Sequence, residues 1–297
     1  MLIAVTGARG FVGRRVADEL ARRNHTIVAY SRQDWDLRTG QLEQPPNVAA
    51  VVHCAARVSD WGAEDAFLLD NVVGTRAVLD SFCAAPRFIH LSSASVYDPR
   101  GRKRMVRENA PYATRYLNAY GRSKMLAEGV VRESGRPAII LRPHAVYGPG
   151  DRTIVPRLLA ARRFGWLIGV GNGRNLLSVT HVDNLVHAVV RAVEGEVRAG
   201  IFNVADVAPV MLDELLRTML ERLRLPPRIA YIPLRVAWPL AAIFERVYRL
   251  AGSPKPPMLS PYIVSQMASD CTLDIRSAQQ QLGYAPKFTH RTGPLTT

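Results

Sequence analysis

The chain opens with four apolar residues, Leu2-Ile-Ala-Val5, and passes at once into Thr6-Gly7-Ala8-Arg9-Gly10-Phe11-Val12-Gly13. Val12, Val16 and Leu20 then recur at four-residue steps. Strand, glycine turn and amphipathic helix, in that order, are the context in which a G-x-x-G-x-x-G spacing reads as a dinucleotide cradle. Gly7 permits the tight turn, Gly10 lets backbone approach a pyrophosphate, and Gly13 lets helix pack on strand. The helix N-terminus offers unpaired N–H groups to phosphate. Thr6, Arg9, Phe11 and Val12 are counted with the same cradle.

The alternation continues. Thr26–Tyr30, Ala49–His53, Arg87–Leu91 and Ala138–Leu141 read as strands, and Val72–Ala84 and Leu117–Glu133 as helices. This rhythm predicts an α/β fold, a Rossmann-type doubly wound parallel sheet with functional loops at the carboxyl ends of its strands. Cys54-Ala55-Ala56, Ser92 and the stretch Pro143, His144, Val146 follow strand ends and are assigned to the cofactor crevice. Beyond residue 146 Pro- and Gly-rich segments interrupt the rhythm. We therefore expect a nucleotide-binding domain over 1–146 and a smaller, mainly substrate-binding lobe over 147–297, with returns to the sheet near 178–204.

Of 39 basic residues 35 are arginine, and the formal net charge is +14. The arginines are scattered, with one dense run at Arg100–Arg107, so we read a compositional bias and expect no nucleic-acid partner. No apolar stretch is long enough to span a bilayer and no signal-peptide pattern opens the chain. Cys54, Cys83 and Cys271 show no metal-ligand spacing, which predicts no metal and suits a cytoplasmic protein.

Tyr120-Gly-Arg-Ser-Lys124 places a phenol and an ammonium one helical turn apart on one face. A nearby ammonium favours the phenolate, so the pair suits proton transfer. Ser93 stands at the end of a strand, where a hydroxyl can hold a carbonyl oxygen.

Together with Asn71-Val-Val-Gly-Thr75 and Arg142-Pro-His-Ala-Val-Tyr-Gly-Pro149, these motifs resemble the extended short-chain dehydrogenase/reductases, the NAD-dependent epimerase/dehydratase superfamily. The resemblance covers nearly the whole chain. It implies a nicotinamide cofactor and a catalytic set of Ser93, Tyr120 and Lys124, with Lys124 also holding the nicotinamide ribose. It implies that Asn71 supports the site, that Asp36-Leu37 touches the adenine, and that the two helices make a homodimer.

Cofactor choice turns on the end of the second strand. An acid there would hold a ribose 2′-hydroxyl, but the chain reads Tyr30-Ser31-Arg32. Ser31 and Arg32, helped by Arg9, suit a 2′-phosphate, so NADP(H) is expected over NAD(H).

Superfamily members that act on nucleotide sugars carry an Asn where this chain has Ala145, and polar residues where it has Leu177 and Ser178. Ser59-Asp-Trp-Gly62, Phe67 and the segment Leu259–Pro286 are instead similar to the 3β-hydroxysteroid dehydrogenase branch, and within it to bacterial 2-alkyl-3-oxoalkanoate reductases. The expectation is a reductase of a small lipophilic ketone, or a dehydrogenase of the alcohol. A nucleotide-sugar epimerase or dehydratase is one rival; a cofactor-sensing or nucleic-acid-binding protein on the same fold is the other.

The segment Ile232–Leu250 puts Val236, Leu240, Ile243, Phe244 and Val247 on one helical face. It reads as an ordinary helix packed on the second lobe, with a lid or a weak peripheral membrane contact as the other readings. His144 and His181 read as pocket or structural residues.

Overall fold

The computed structural model describes residues 1–98, 103–151 and 153–295. Residues 100–102 of the basic run lie outside them. Strand β1 (Leu2–Thr6) leads into helix α1 (Phe11–Arg22) and strand β2 (Thr26–Tyr30). Strand β3 (Ala50–His53), helix α2 (Gly74–Ser81) and strand β4 (Phe88–Leu91) follow. Helix α3 (Ala119–Glu133), strand β5 (Ala138–Pro143), helix α4 (Val182–Glu194) and strand β6 (Gly200–Val204) complete the main layer.

The six strands form one parallel sheet in the order β2-β1-β3-β4-β5-β6. Strand alternation divides its side chains between two cores. Ile3 and Val5 meet Val16, Leu20, Leu185 and Val189 from α1 and α4. Ala4 and Val51 meet Ala77, Val78, Val130 and Val131 from α2 and α3. Burial on both faces explains the continuous apolar runs of β3 and β4. β2 and β3 flank β1 on opposite sides, so connections leave β1 both ways and open a crevice at its carboxyl end.

Two boundaries differ from the sequence reading. The helix expected from Val72 to Ala84 begins as a π-helical turn, Leu68–Val73, and α2 ends at Ser81. The wider turn lets the adjacent Asp70 and Asn71 both turn inward, where both are buried. The helix expected from Leu117 begins at Ala119 because the Asn118 side chain accepts the Gly121 N–H at 3.0 Å and caps it.

The second lobe has its own core, in which Tyr147, Leu167, Leu177 and Ile229 pack against Leu215, Met219 and Leu220 of helix α5 (Leu212–Arg222). Lys103–Val106 pairs with Cys271–Leu273, so a segment from the first half of the chain joins this lobe. Helices α6 (Leu234–Leu250) and α7 (Pro261–Ala268) pack on the strand Trp166–Val170. The helix packs on the second lobe as expected, but through a different face from its large apolar strip. α6 rests on Ala237 and Ala241, whose small side chains allow close approach to Val170 and Val264. The large apolar strip from Val236 to Val247 lies on the neighbouring face, and that face is exposed.

Candidate active site

At the carboxyl ends of β1, β2 and β3 lies a cleft of about 280 Å³, lined by Thr6, Gly7, Arg9, Gly10, Tyr30, Ser31, Arg32, Trp35, Asp36, Leu37, Arg38, Cys54, Ala55, Ala56 and Asp70. Its floor is backbone. Gly7 has φ +69°, and a Cβ there would stand 2.7 Å from the Ala55 nitrogen. A Cβ on Gly13 would stand 2.2 Å from the Gly7 carbonyl oxygen. Gly13 thus lets α1 press against the turn itself. α1 has no side-chain N-cap and no acid in its first turn, so its leading N–H groups face the turn uncompensated. Such a cradle fits a pyrophosphate. Gly13→Ala is expected to abolish nucleotide retention, measurable by equilibrium binding of NADPH; binding within a factor of about three would contradict this reading of the turn.

Three arginines reach the cleft. Arg9 bonds Gln33, Arg32 reaches Asp70 at 3.1 Å, and Arg38 grips Asp36. Asp70, which the sequence reading did not single out, is almost wholly buried and also takes Arg57 at 2.6 Å. Ser31 donates its hydroxyl to Asp34 at 2.6 Å, and that bond holds the Asp34 carboxyl below its usual range. The Thr6 hydroxyl is occupied by His53 at 2.7 Å, so it braces the turn from beneath. Phe11 and Val12 form the first turn of α1, and Phe11 lies against Gly150.

Ser93, two residues past the end of β4, is extended and caps the short turn Ala94–Val96. Its hydroxyl donates to the Ser95 hydroxyl at 3.1 Å and lies near enough to the phenol of Tyr120, in the first turn of α3, to act on its proton affinity. Lys124 lies one turn on, buried, with Nζ donating to the Leu91 carbonyl at 2.6 Å. The structure thus brings the three expected residues together, but the electrostatics differ from expectation. Burial pushes the Tyr120 phenol up to about 12, opposed by the neighbouring Ser93 hydroxyl. Burial pushes Lys124 down to about 8, opposed by the Glu128 carboxylate and Cys54.

Asn71 organises the surroundings. Its side chain accepts the Arg57 N–H at 2.7 Å and donates to Ser123 at 2.8 Å, tying the loop after β3 to α3. Ser92 points away from the crevice and donates to Glu128. Glu128 follows Lys124 by four residues and pairs with Arg142, both fully enclosed. Tyr112 and Tyr97 close that network. Tyr120, Lys124 and Glu128 stand at i, i+4 and i+8 of α3, a spacing that marks Glu128 as a member of the same helix face.

On the other side of Ser93, Ser95, Tyr262, Gln266, His144 and Cys271 line a nearly closed space. The His144 Nδ1 donates to the Ser178 carbonyl at 2.5 Å, and its Nε2 lies 3.2 Å from the Gln266 side-chain oxygen. Pro143 ends β5 and Val146 packs on the first core. Tyr262 sits within electrostatic reach of Tyr120, although 142 residues separate them in sequence. His181 is fully buried and caps α4, a structural role.

The three positions that distinguish nucleotide-sugar enzymes are also placed. Leu177 is part of the second core, and the buried Ser178 hydroxyl accepts the Leu273 N–H at 3.0 Å. Ala145 adopts φ +45°, a conformation that asparagine tolerates better than alanine.

A sequence model of the NAD dependent epimerase/dehydratase family matches residues 3–205. The chain belongs to that family. Among its relatives, the 2-alkyl-3-oxoalkanoate reductase of Shewanella oneidensis is 27% identical over 95% of this chain and 81% of its own length. The 3beta-hydroxysteroid-dehydrogenase/decarboxylase isoform 1 of Arabidopsis thaliana is 28% identical over 95% of this chain and 75% of its own. Both bear out the resemblance to the 3β-hydroxysteroid dehydrogenase-like branch. The solved UDP-glucuronic acid 4-epimerase from Bacillus cereus, in complex with NAD, superposes with a TM-score of 0.74 at 19% identity, over 99% of this chain and 96% of that one. At that identity the likeness speaks for the fold. This family member is an NAD(P)-dependent oxidoreductase.

Proposed function

We infer that this oxidoreductase reduces the ketone of a lipophilic substrate, a 2-alkyl-3-oxoalkanoate or a 3-ketosteroid-like compound, with NADPH. The observation that carries the reading is the placing of the Ser93 hydroxyl next to the Tyr120 phenol beside the glycine cleft, with Lys124 one turn on. The nicotinamide, when bound, supplies the hydride. Ser93 holds the carbonyl oxygen, and Tyr120 gives it the phenolic proton, yielding the secondary alcohol. The Lys124 ammonium stabilises the phenolate that remains. The apolar residues at Leu177 and Ala145 leave little for a nucleotide diphosphate to pair with, and the named relatives above support a lipophilic ketone.

Lys124 gives this reading a pH signature. Its ammonium is protonated below about 8 and is lost above it, while Tyr120, at about 12, keeps its proton throughout. Reduction is therefore expected to hold level from pH 6 to about 8 and to fall above it, as an apparent constant of the coupled site. A kcat/KM profile that rises through pH 9 would contradict the role given to Lys124.

For the cofactor, Arg9, Arg32 and Arg38 in the cleft favour a 2′-phosphate. Arg32→Ala is expected to raise the KM for NADPH by roughly tenfold and leave that for NADH within a factor of about two. Equal changes for both would remove the preference. The whole reading is tested by following NADPH oxidation over 2-alkyl-3-oxoalkanoates, 3-ketosteroids and nucleotide keto-sugars, with turnover expected on the first two. A homodimer through α2 and α3 belongs to the same reading; Leu69 and Val73 at the head of α2 are exposed.

A further inference from the structure

The face of α6 left open to solvent is unusual for a surface helix. Val236, Leu240, Ile243 and Val247 form a continuous strip at i, i+4, i+7 and i+11, with Phe244 beside them. Their exposures are 44%, 37%, 56%, 54% and 43%. Leu250, at the end of the helix, is 81% exposed. An apolar strip of this length on a helix already packed through Ala237 and Ala241 marks an interaction surface.

Charge identifies the occupant. Arg235, Arg246 and Arg249 line the adjoining strip of the same helix, all exposed. Arg249 bonds Glu245, but Arg235 and Arg246 have no partner among the described residues. A second copy of the chain would bring like charge against like, in a protein of net charge +14. An anionic lipid surface satisfies both strips at once, taking the apolar side chains into the acyl boundary and the guanidiniums among the headgroups. The same lobe carries an exposed Phe164 and Trp166 on the hairpin tip between Arg162–Arg163 and Trp166–Val170. No described helix is long and apolar enough to cross a membrane, so the contact is one of lying on the surface.

We propose that α6 docks this protein on an anionic membrane surface through its Val236–Val247 strip and its arginine strip. The docked helix borders the site. Trp61, in the loop after β3, donates to the Ser253 carbonyl at 2.9 Å and stacks under Arg249 at 4.9 Å. In the same loop Asp60 pairs with Arg157 and acts on Tyr262, the neighbour of Tyr120. That a lipophilic substrate enters from the bilayer rests on the function proposed above; the docking itself does not.

The test is co-sedimentation of the full chain with phosphatidylcholine vesicles made with and without phosphatidylglycerol, with turnover measured separately. The chain is expected to sediment with the anionic vesicles and stay largely in solution with the neutral ones. Arg235→Gln/Arg246→Gln is expected to weaken that binding roughly tenfold, and Ile243→Asp/Val247→Asp to remove it. Turnover of a short soluble ketone should be unchanged in both, because all four side chains are exposed and none is bonded to Ser93, Tyr120 or Lys124. Wild-type protein that ignores anionic vesicles would overturn the proposal. So would Ile243→Asp/Val247→Asp protein that binds vesicles as before but changes from dimer to monomer in light scattering, since the strip would then be a contact between copies.

Discussion

Tyr120→Phe is expected to lower kcat by roughly 100- to 10,000-fold and to leave NADPH affinity within a factor of about three. The phenol lies next to the Ser93 hydroxyl that would hold the carbonyl oxygen, and the ring survives the substitution. Ser93→Ala should lose less, because the proton donor remains while the hold on the oxygen goes. A Tyr120→Phe protein with ordinary turnover would remove Tyr120 from the reaction. A variant that also fails to bind NADPH would show the residue acting on the cofactor cleft instead. The comparison therefore needs both kcat and a binding constant.

The second large effect is on stability. Arg142→Met leaves the Glu128 carboxylate enclosed without its cation and is expected to cost about 3–5 kcal/mol in urea unfolding. The pair lies at 2.6 Å, and Arg142 also donates to Tyr97 and Tyr112. A double change, Glu128→Leu with Arg142→Met, should recover part of the loss because no lone charge remains buried. Loss below about 1 kcal/mol in the single variant would mean the carboxylate finds water or a proton. The same network reaches Lys124 through Glu128, so the single variant should also alter the pH at which activity falls.

Local pattern explains why the nucleotide half could be read from the chain. The glycine turn, the alternation of apolar runs and the Tyr120–Lys124 spacing are all short-range signals, and the strand Thr26–Tyr30 matches its reading residue for residue. Boundaries set by side chains were less legible. The Asn118 cap and the π turn at Leu68–Val73 depend on where single polar groups point. The phenol's elevated proton affinity was out of reach for another reason. Spacing along a helix shows that Lys124 can approach Tyr120, but the Leu91 carbonyl that takes the ammonium belongs to a strand 33 residues away. Tyr262 and Asp70 join the site only through folding, and no local motif marks them. The exposed strip of α6 was legible as amphipathic, but which face would be buried was decided by two alanines.

The central claim is that Ser93, Tyr120 and Lys124 serve hydride transfer to a lipophilic ketone. The measurement that reaches it most directly uses NADPH deuterated at C4 of the nicotinamide, one face at a time, with a 2-alkyl-3-oxoalkanoate as acceptor. Mass spectrometry of the product is predicted to find one deuterium, from one face only, on the carbon that bears the new hydroxyl. The same experiment with Tyr120→Phe should give almost none. A product that carries no label, or label transfer only to a nucleotide keto-sugar, would contradict the account.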